Sequence, residues 1–212
     1  HFEKMLYDNI LYVNLLNHFL QKEKSDYLIN KLKQTINFIN AEFISDDNLL
    51  GSAYDADSEG IEGKYYVWPY EEIKKILESD FELFKKKYVI SSLGNFEGNN
   101  ILVESKNSLN KEEQDKIVEI EEKLIQERKK RVKPFFDDKS QTDLNAFILD
   151  TLISASIVLE DNNLKNEAIA TLKILNNKLS NKIYHCYDSS EIDAFLEDYV
   201  YYAMLLVTLY EV

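Results

Sequence analysis

Two kinds of helical pattern alternate along the chain. Residues 5–20 (MLYDNILYVNLLNHFL), 144–159 (LNAFILDTLISASIVL) and 195–210 (FLEDYVYYAMLLVTLY) are apolar on nearly every face. That predicts helices buried on several sides. Leu28, Leu32, Ile36, Ile39 and Phe43 instead recur at three-to-four spacing with Lys31, Lys33, Gln34 and Asn37 between them. Leu164, Ala168, Leu172, Leu175 and Leu179 do the same against Lys165, Glu167, Lys173 and Lys178, so each set predicts a helix with one wet face. The first two apolar helices are each followed, after a short polar break, by an amphipathic one. This order predicts antiparallel helical hairpins with buried members inside and amphipathic members outside. The expected fold is mainly α: a first hairpin over residues 1–43, another over 137–183, and the inner helix of a further one over 193–212, all in one domain.

The helical pattern is interrupted over residues 44–110, which hold all five glycines, Gly51, Gly60, Gly63, Gly94 and Gly98. DADSEGIEGKYYVW at 55–68 predicts a small β-hairpin turning through Glu59 to Gly63, with Lys64 to Trp68 as its aromatic, β-branched second strand. Pro69 then opens a helix carrying Ile73, Ile76 and Leu77, and another is expected around Phe81 to Tyr88. Lys111 to Arg131 predicts a charged outer helix with Ile117, Ile120 and Leu124 inward, ended by Pro134.

Charge narrows the function classes. With 38 acidic residues against 25 basic ones the net charge is -13, which excludes the positive footprint that a nucleic-acid partner requires. The most basic stretch, Arg128 to Arg131 with Lys133, closes the charged helix, where cations suit the negative helix end. The longest apolar run, Val200 to Tyr210, falls well short of the roughly 18 to 20 residues that cross a bilayer, so no membrane is expected. One cysteine, Cys186, allows no disulfide within the chain and no CxxC pair; a reducing, cytoplasmic compartment is the simpler expectation.

Acidic groups cluster near the starts of the three apolar helices: Glu3 with Asp8, Asp137 and Asp138 with Asp143, and Asp193 with Glu197 and Asp198. If those helices run parallel, the clusters meet at one end and make it strongly negative. Capping and the helix dipole account for many first-turn carboxylates. Asp8 and Asp198 differ, because each lies inside an otherwise apolar helix and needs a partner or a polar cavity. Asp8, Asp57, Asp138 and Asp198 are therefore the catalytic candidates. Carboxylates at helix starts favour a base or hydroxyl-acceptor role over a general acid.

Asp55, Asp57 and Glu59 alternate and share one side if the segment is extended. Started at Asp55, an EF-hand loop would need Glu where Tyr66 stands, so calcium is not expected. His1, His18 and His185 show no paired-ligand spacing, and no metal or cofactor is predicted. Tyr7, Tyr66, Trp68 and Tyr199, near the acids, supply ring faces suited to a sugar as well as to a core.

HFEKMLYDN at 1–9, DADSEGIEGKYYVW at 55–68, GNFEGNNIL at 94–102, PFFDDK at 134–139 and FLEDYVYYAMLLVTLYE at 195–211 resemble, in order, signature blocks of the YyaL-type family. That family includes the spermatogenesis-associated thioredoxin-domain proteins. The resemblance implies a fragment of an (α/α) toroid of the six-hairpin glycosidase and N-acylglucosamine 2-epimerase type. The thioredoxin-like domain of the parent chain would then lie outside these residues. One departure stands out: Leu144-Asn145-Ala146 occupies the place where the family usually shows Trp-Asn-Gly.

Tyr7, Asp55, Glu59, Tyr66, Trp68, Asn145 and Tyr199 are the expected binding residues, and a small, sugar-like molecule the expected partner. A non-catalytic ligand- or protein-binding module working with a thioredoxin-like domain is the alternative.

Overall fold

A computed structural model describes residues 2–179, 182–186 and 192–212; His1 falls outside them. The chain begins with β1 (Lys4–Met5), α1 (Leu6–Lys22), α2 (Asp26–Glu42) and β2 (Ala53–Tyr54). Next come β3 (Asp57–Ser58), β4 (Ile61–Glu62), α3 (Tyr70–Leu77), α4 (Phe81–Lys87), β5 (Tyr88–Val89), β6 (Val103–Glu104) and α5 (Lys111–Arg128). It ends with β7 (Phe136–Asp137), α6 (Thr142–Val158), α7 (Asn162–Lys178), β8 (Tyr184–Cys186), β9 (Ile192–Asp193) and α8 (Leu196–Glu211). The fold is mainly α-helical. Where one domain was expected, the chain divides into two compact units: residues 1–3 with 55–135, and residues 4–54 with 136–212.

The larger unit, residues 4–54 and 136–212, is built from the alternation seen in the sequence. α1 packs with α2 and α6 with α7, while α6 also contacts α1 and α8. α1 contributes Leu6, Ile10, Val13, Leu16 and Leu20 to one apolar core with Leu32, Ile36 and Ile39 of α2. The wet helices are capped where the chain supplies a capping side chain. Ser25 accepts from the N–H of Leu28, and Asp161 accepts from those of Asn163 and Leu164.

β2 lies between β1 and β7 and is antiparallel to both, so β1 and β7 run the same way. Each leads into a helix of the apolar core, and α1 and α6 therefore start at the same end. α1 and α8 are less covered than helices buried on several sides would be. Tyr7, Leu11, Tyr12, Leu15 and Phe19 form an exposed stripe on α1, and Leu196, Tyr199, Val200, Met204, Val207 and Tyr210 another on α8.

The smaller unit has a core of its own. Ile117, Ile120 and Leu124 of α5 do point inward, onto Trp68, Ile73, Leu77, Phe81 and Phe84. The charged helix is thus the partner of α3 and α4, not an outer member of a long hairpin. Its start is fixed by a capping box in which Asn110 and Glu113 each bond the other's backbone N–H.

The predicted β-hairpin exists but is shorter: β3 pairs with β4, and Lys64 to Tyr66 turn back so that Tyr66 and Val67 donate to the carbonyl of Gly63. The reason lies in Gly63, whose φ of +73° ends the strand. Glu59 and Gly60 at the tip both have positive φ, as do Glu97 and Gly98 between the bridged Phe96 and Asn99. Both tips have the double left-handed backbone of a type I′ turn.

Gly94 shows what such a backbone demands. Its φ is +74°, and a Cβ there would sit 2.4 Å from the carbonyl oxygen of Asn99. Gly94→Ala is expected to destabilise this unit by more than about 2 kcal/mol. Urea unfolding followed through Trp68, the chain's one tryptophan, measures it; an unshifted midpoint would refute the requirement.

Candidate functional site

In the larger unit the starts of α6 and α8 meet at one carboxylate. Asp198 is fully buried and lies in the first turn of α8. Its Oδ2 accepts from the N–H of Phe195 at 2.8 Å and its Oδ1 from the N–H of Asp143, in the first turn of α6, at 2.9 Å. One side chain thus caps two helices, and the positive ends of both dipoles favour its negative charge. The sequence asked for a partner for this acid, and the chain supplies three.

The third partner is His185, on β8, whose Nδ1 lies 3.1 Å from both Asp198 oxygens. Its Nε2 is 3.1 Å from Nε2 of Gln141, whose Oε1 accepts from the hydroxyl of Ser52. One tautomer satisfies this chain of bonds: Nδ1–H donates to Asp198, and Nε2 accepts from the Gln141 amide. Thr142 anchors the strand by donating its hydroxyl to the carbonyl of Tyr184 at 2.6 Å. Phe195 packs edge-on against the imidazole at 4.9 Å.

Asp143 completes the group, with Oδ1 3.9 Å from His185 Nδ1. Burial, joined by the charge of Asp198, holds its carboxyl above the ordinary range, although the N–H of Leu144 donates to it at 2.8 Å. Both Asp143 and His185 keep an accessible edge, at 18% and 15% of their side chains, while Asp198 has none.

One ligand atom from each of the three lies within 4.8 Å of the others, a spacing that admits a metal ion and that sequence spacing did not reveal. The donor set argues for protons instead. Asp198 already accepts from two backbone amides and an imidazole N–H, and the positive helix ends take the place of a cation.

The other expected site residues go to different places. Asn145 is fully buried: its Oδ1 accepts from the N–H of Leu50, and its Nδ2 donates to the carbonyls of Leu50 and Gln141, each at 2.9 Å. Its amide is used within the fold and offers nothing to a ligand. Asp8 and Tyr7 are exposed in the first turn of α1, and Tyr199 is exposed on α8. Asp138 is exposed beside a cavity of about 210 Å³ shared with Asp46, Asp47 and Lys178. There burial opposes the charge of Asp47, but hydrogen bonds from Lys178, Ser45 and Leu49 outweigh it and hold that carboxyl below the usual range.

Asp55, Asp57, Glu59, Tyr66 and Trp68 all belong to the smaller unit. Asp55 accepts from the N–H of Asp57 at 3.4 Å, and Glu59 pairs with Lys64 at 2.8 Å. Tyr66 stacks on Phe2, and Trp68 is core, under the Arg131 guanidinium at 3.9 Å. Cys186 is buried and free. No helix among the described residues is long and apolar enough to cross a membrane.

No protein-family model matches the chain. Among curated proteins it is 25% identical, over 261 residues, to spermatogenesis-associated protein 20 of Homo sapiens; the match takes in 100% of this chain and 33% of that protein. The chain thus spans about a third of the relative's length. Matched along its whole extent, and carrying the ordered blocks of the family it resembles, the chain is a distant homologue of spermatogenesis-associated protein 20.

Proposed function

We propose that the larger unit is part of an (α/α) toroid whose helix-start end moves protons on a carbohydrate, in the manner of an N-acylglucosamine 2-epimerase. The observation that carries this reading is the buried Asp198 holding His185 beside Asp143. His185 Nε2, freed from Gln141, takes the proton from the carbon next to a sugar carbonyl, and the electron pair moves onto the carbonyl oxygen. Asp143, whose environment favours the protonated form, returns a proton to the opposite face. Asp198 is a positioning residue that fixes the imidazole tautomer.

Hydrolysis by two carboxylates is the weaker version, because both groups must reach the sugar and Asp198 is sealed. The exposed apolar stripes of α1 and α8 support the toroid, since further hairpins of a longer chain would cover them. They equally suit the alternative, a non-catalytic module working with a thioredoxin-like domain.

The test uses the full-length protein with N-acetylhexosamines in deuterated water. Exchange of the C2 hydrogen together with epimerisation is expected, the epimerisation falling at least a hundredfold in Asp143→Asn. The same substitution is expected to raise stability at neutral pH. A carboxyl with a raised folded value stabilises fully only below the unfolded value of about 3.9. That contribution is lost as pH rises through the folded value, and Asn removes the charge. No exchange with any hexosamine, or epimerisation untouched by Asp143→Asn, would overturn the reading.

A further inference from the structure

The smaller unit holds a cavity of about 530 Å³, within the range that accepts small organic ligands. Its walls are residues of this unit alone. Ile61, Tyr65, Val67, Phe96 and Val132 make an apolar lining. The two Glu-Gly turn tips bound it: Glu59 lines it from one and Glu97 from the other. Neither tip needs glutamate for its backbone; at a positive φ asparagine or glycine is easier.

Charge separates the possible ligands. Lys64 is neutralised by Glu59 at 2.8 Å, Lys130 by Glu127 at 2.6 Å and Arg131 by Glu72 at 2.9 Å. Arg131 is further tied down by the carbonyls of Tyr65 and Val67 and by the face of Trp68. Every cation at the cavity therefore has a carboxylate. Glu62 and Glu97, both exposed, line the cavity with no ion pair among the described residues. The walls are apolar and the excess charge is negative. An anion would meet two unpaired carboxylates and no unpaired cation, whereas an amine would meet two acceptors beside the rings of Tyr65 and Phe96.

We propose that this cavity binds a small organic cation, with an apolar body on the Tyr65 and Phe96 side and its amine toward Glu62 and Glu97. The site is independent of the proton-transfer site in the other unit.

The test compares phenethylamine with 3-phenylpropionate, which share a ring and differ in the sign of charge, on the full chain. Trp68 is a built-in reporter, because Arg131 both lines the cavity and covers the indole. Saturation-transfer NMR provides a second readout. Phenethylamine is expected to bind at least tenfold more tightly than the acid. The double variant Glu62→Gln/Glu97→Gln is expected to weaken it at least fivefold while the thermal melt stays unchanged. Equal binding of the two probes, no binding of the amine, or full affinity in the folded double variant would each overturn the proposal.

Discussion

Asp198→Ala is expected to lower the stability of the larger unit by about 3–5 kcal/mol, the range seen when one partner of a buried charged network is removed. Three N–H groups lose their acceptor together: those of Asp143 and Phe195, and Nδ1–H of His185. Two helix starts are uncapped in the same step. Asp198→Asn keeps one oxygen and the shape but turns an NH2 toward a donor, so a smaller loss of roughly 1–3 kcal/mol is expected. Urea unfolding read by far-UV circular dichroism follows this unit, since the only tryptophan lies in the other. A loss below about 1 kcal/mol for the alanine variant would mean that the carboxylate is not what joins α6 to α8.

Asn145→Leu is the second large effect. The shapes are similar, but the N–H and carbonyl of Leu50 lose their amide partner in a site without solvent. A buried group left unsatisfied costs about 1–3 kcal/mol, and with both orphaned a total near 3–4 kcal/mol is expected. The experiment also separates the two roles open to this residue. A ligand-binding asparagine would lose affinity with little change in unfolding midpoint, whereas a clamp between the approach to β2 and the start of α6 shifts the midpoint first.

The two substitutions mark where sequence reasoning reached. Periodicity located the helices closely: the apolar run 144–159 is α6 (Thr142–Val158), and the pattern from Leu164 to Leu179 is α7 (Asn162–Lys178). Such patterns are local and legible because one helical face repeats every three to four residues. Strands of two residues carry no such signal, and neither the β1–β2–β7 sheet nor the independent core around Trp68 was legible. The identical argument for Asp8 and Asp198 gave opposite outcomes. An apolar helix without a wet face shows that each side is to be covered, but not that the cover lies among these residues.

Asp198 met its partners here, while Asp8 lies in the exposed first turn of α1. His185 was invisible as a site residue because it reaches Asp198 from a separate strand and Asp143 from still further along the chain. Its one clue was position: the only histidine next to a β-like stretch leading into the last acidic cluster.

The way the chain leaves and re-enters the larger unit has a consequence for variation. Tyr54 and Phe136 are direct partners across β2 and β7, and just beyond them the N–H of Asp55 meets the carbonyl of Phe135 at 2.9 Å. Residues 55–135 are therefore a loop whose two ends are held together by the pairing of β2 with β7. Closing such a loop becomes only slowly harder as it lengthens. Small changes of length between residues 55 and 135 are accordingly expected to leave the register of Ala53 with Asp137 and Tyr54 with Phe136 in place.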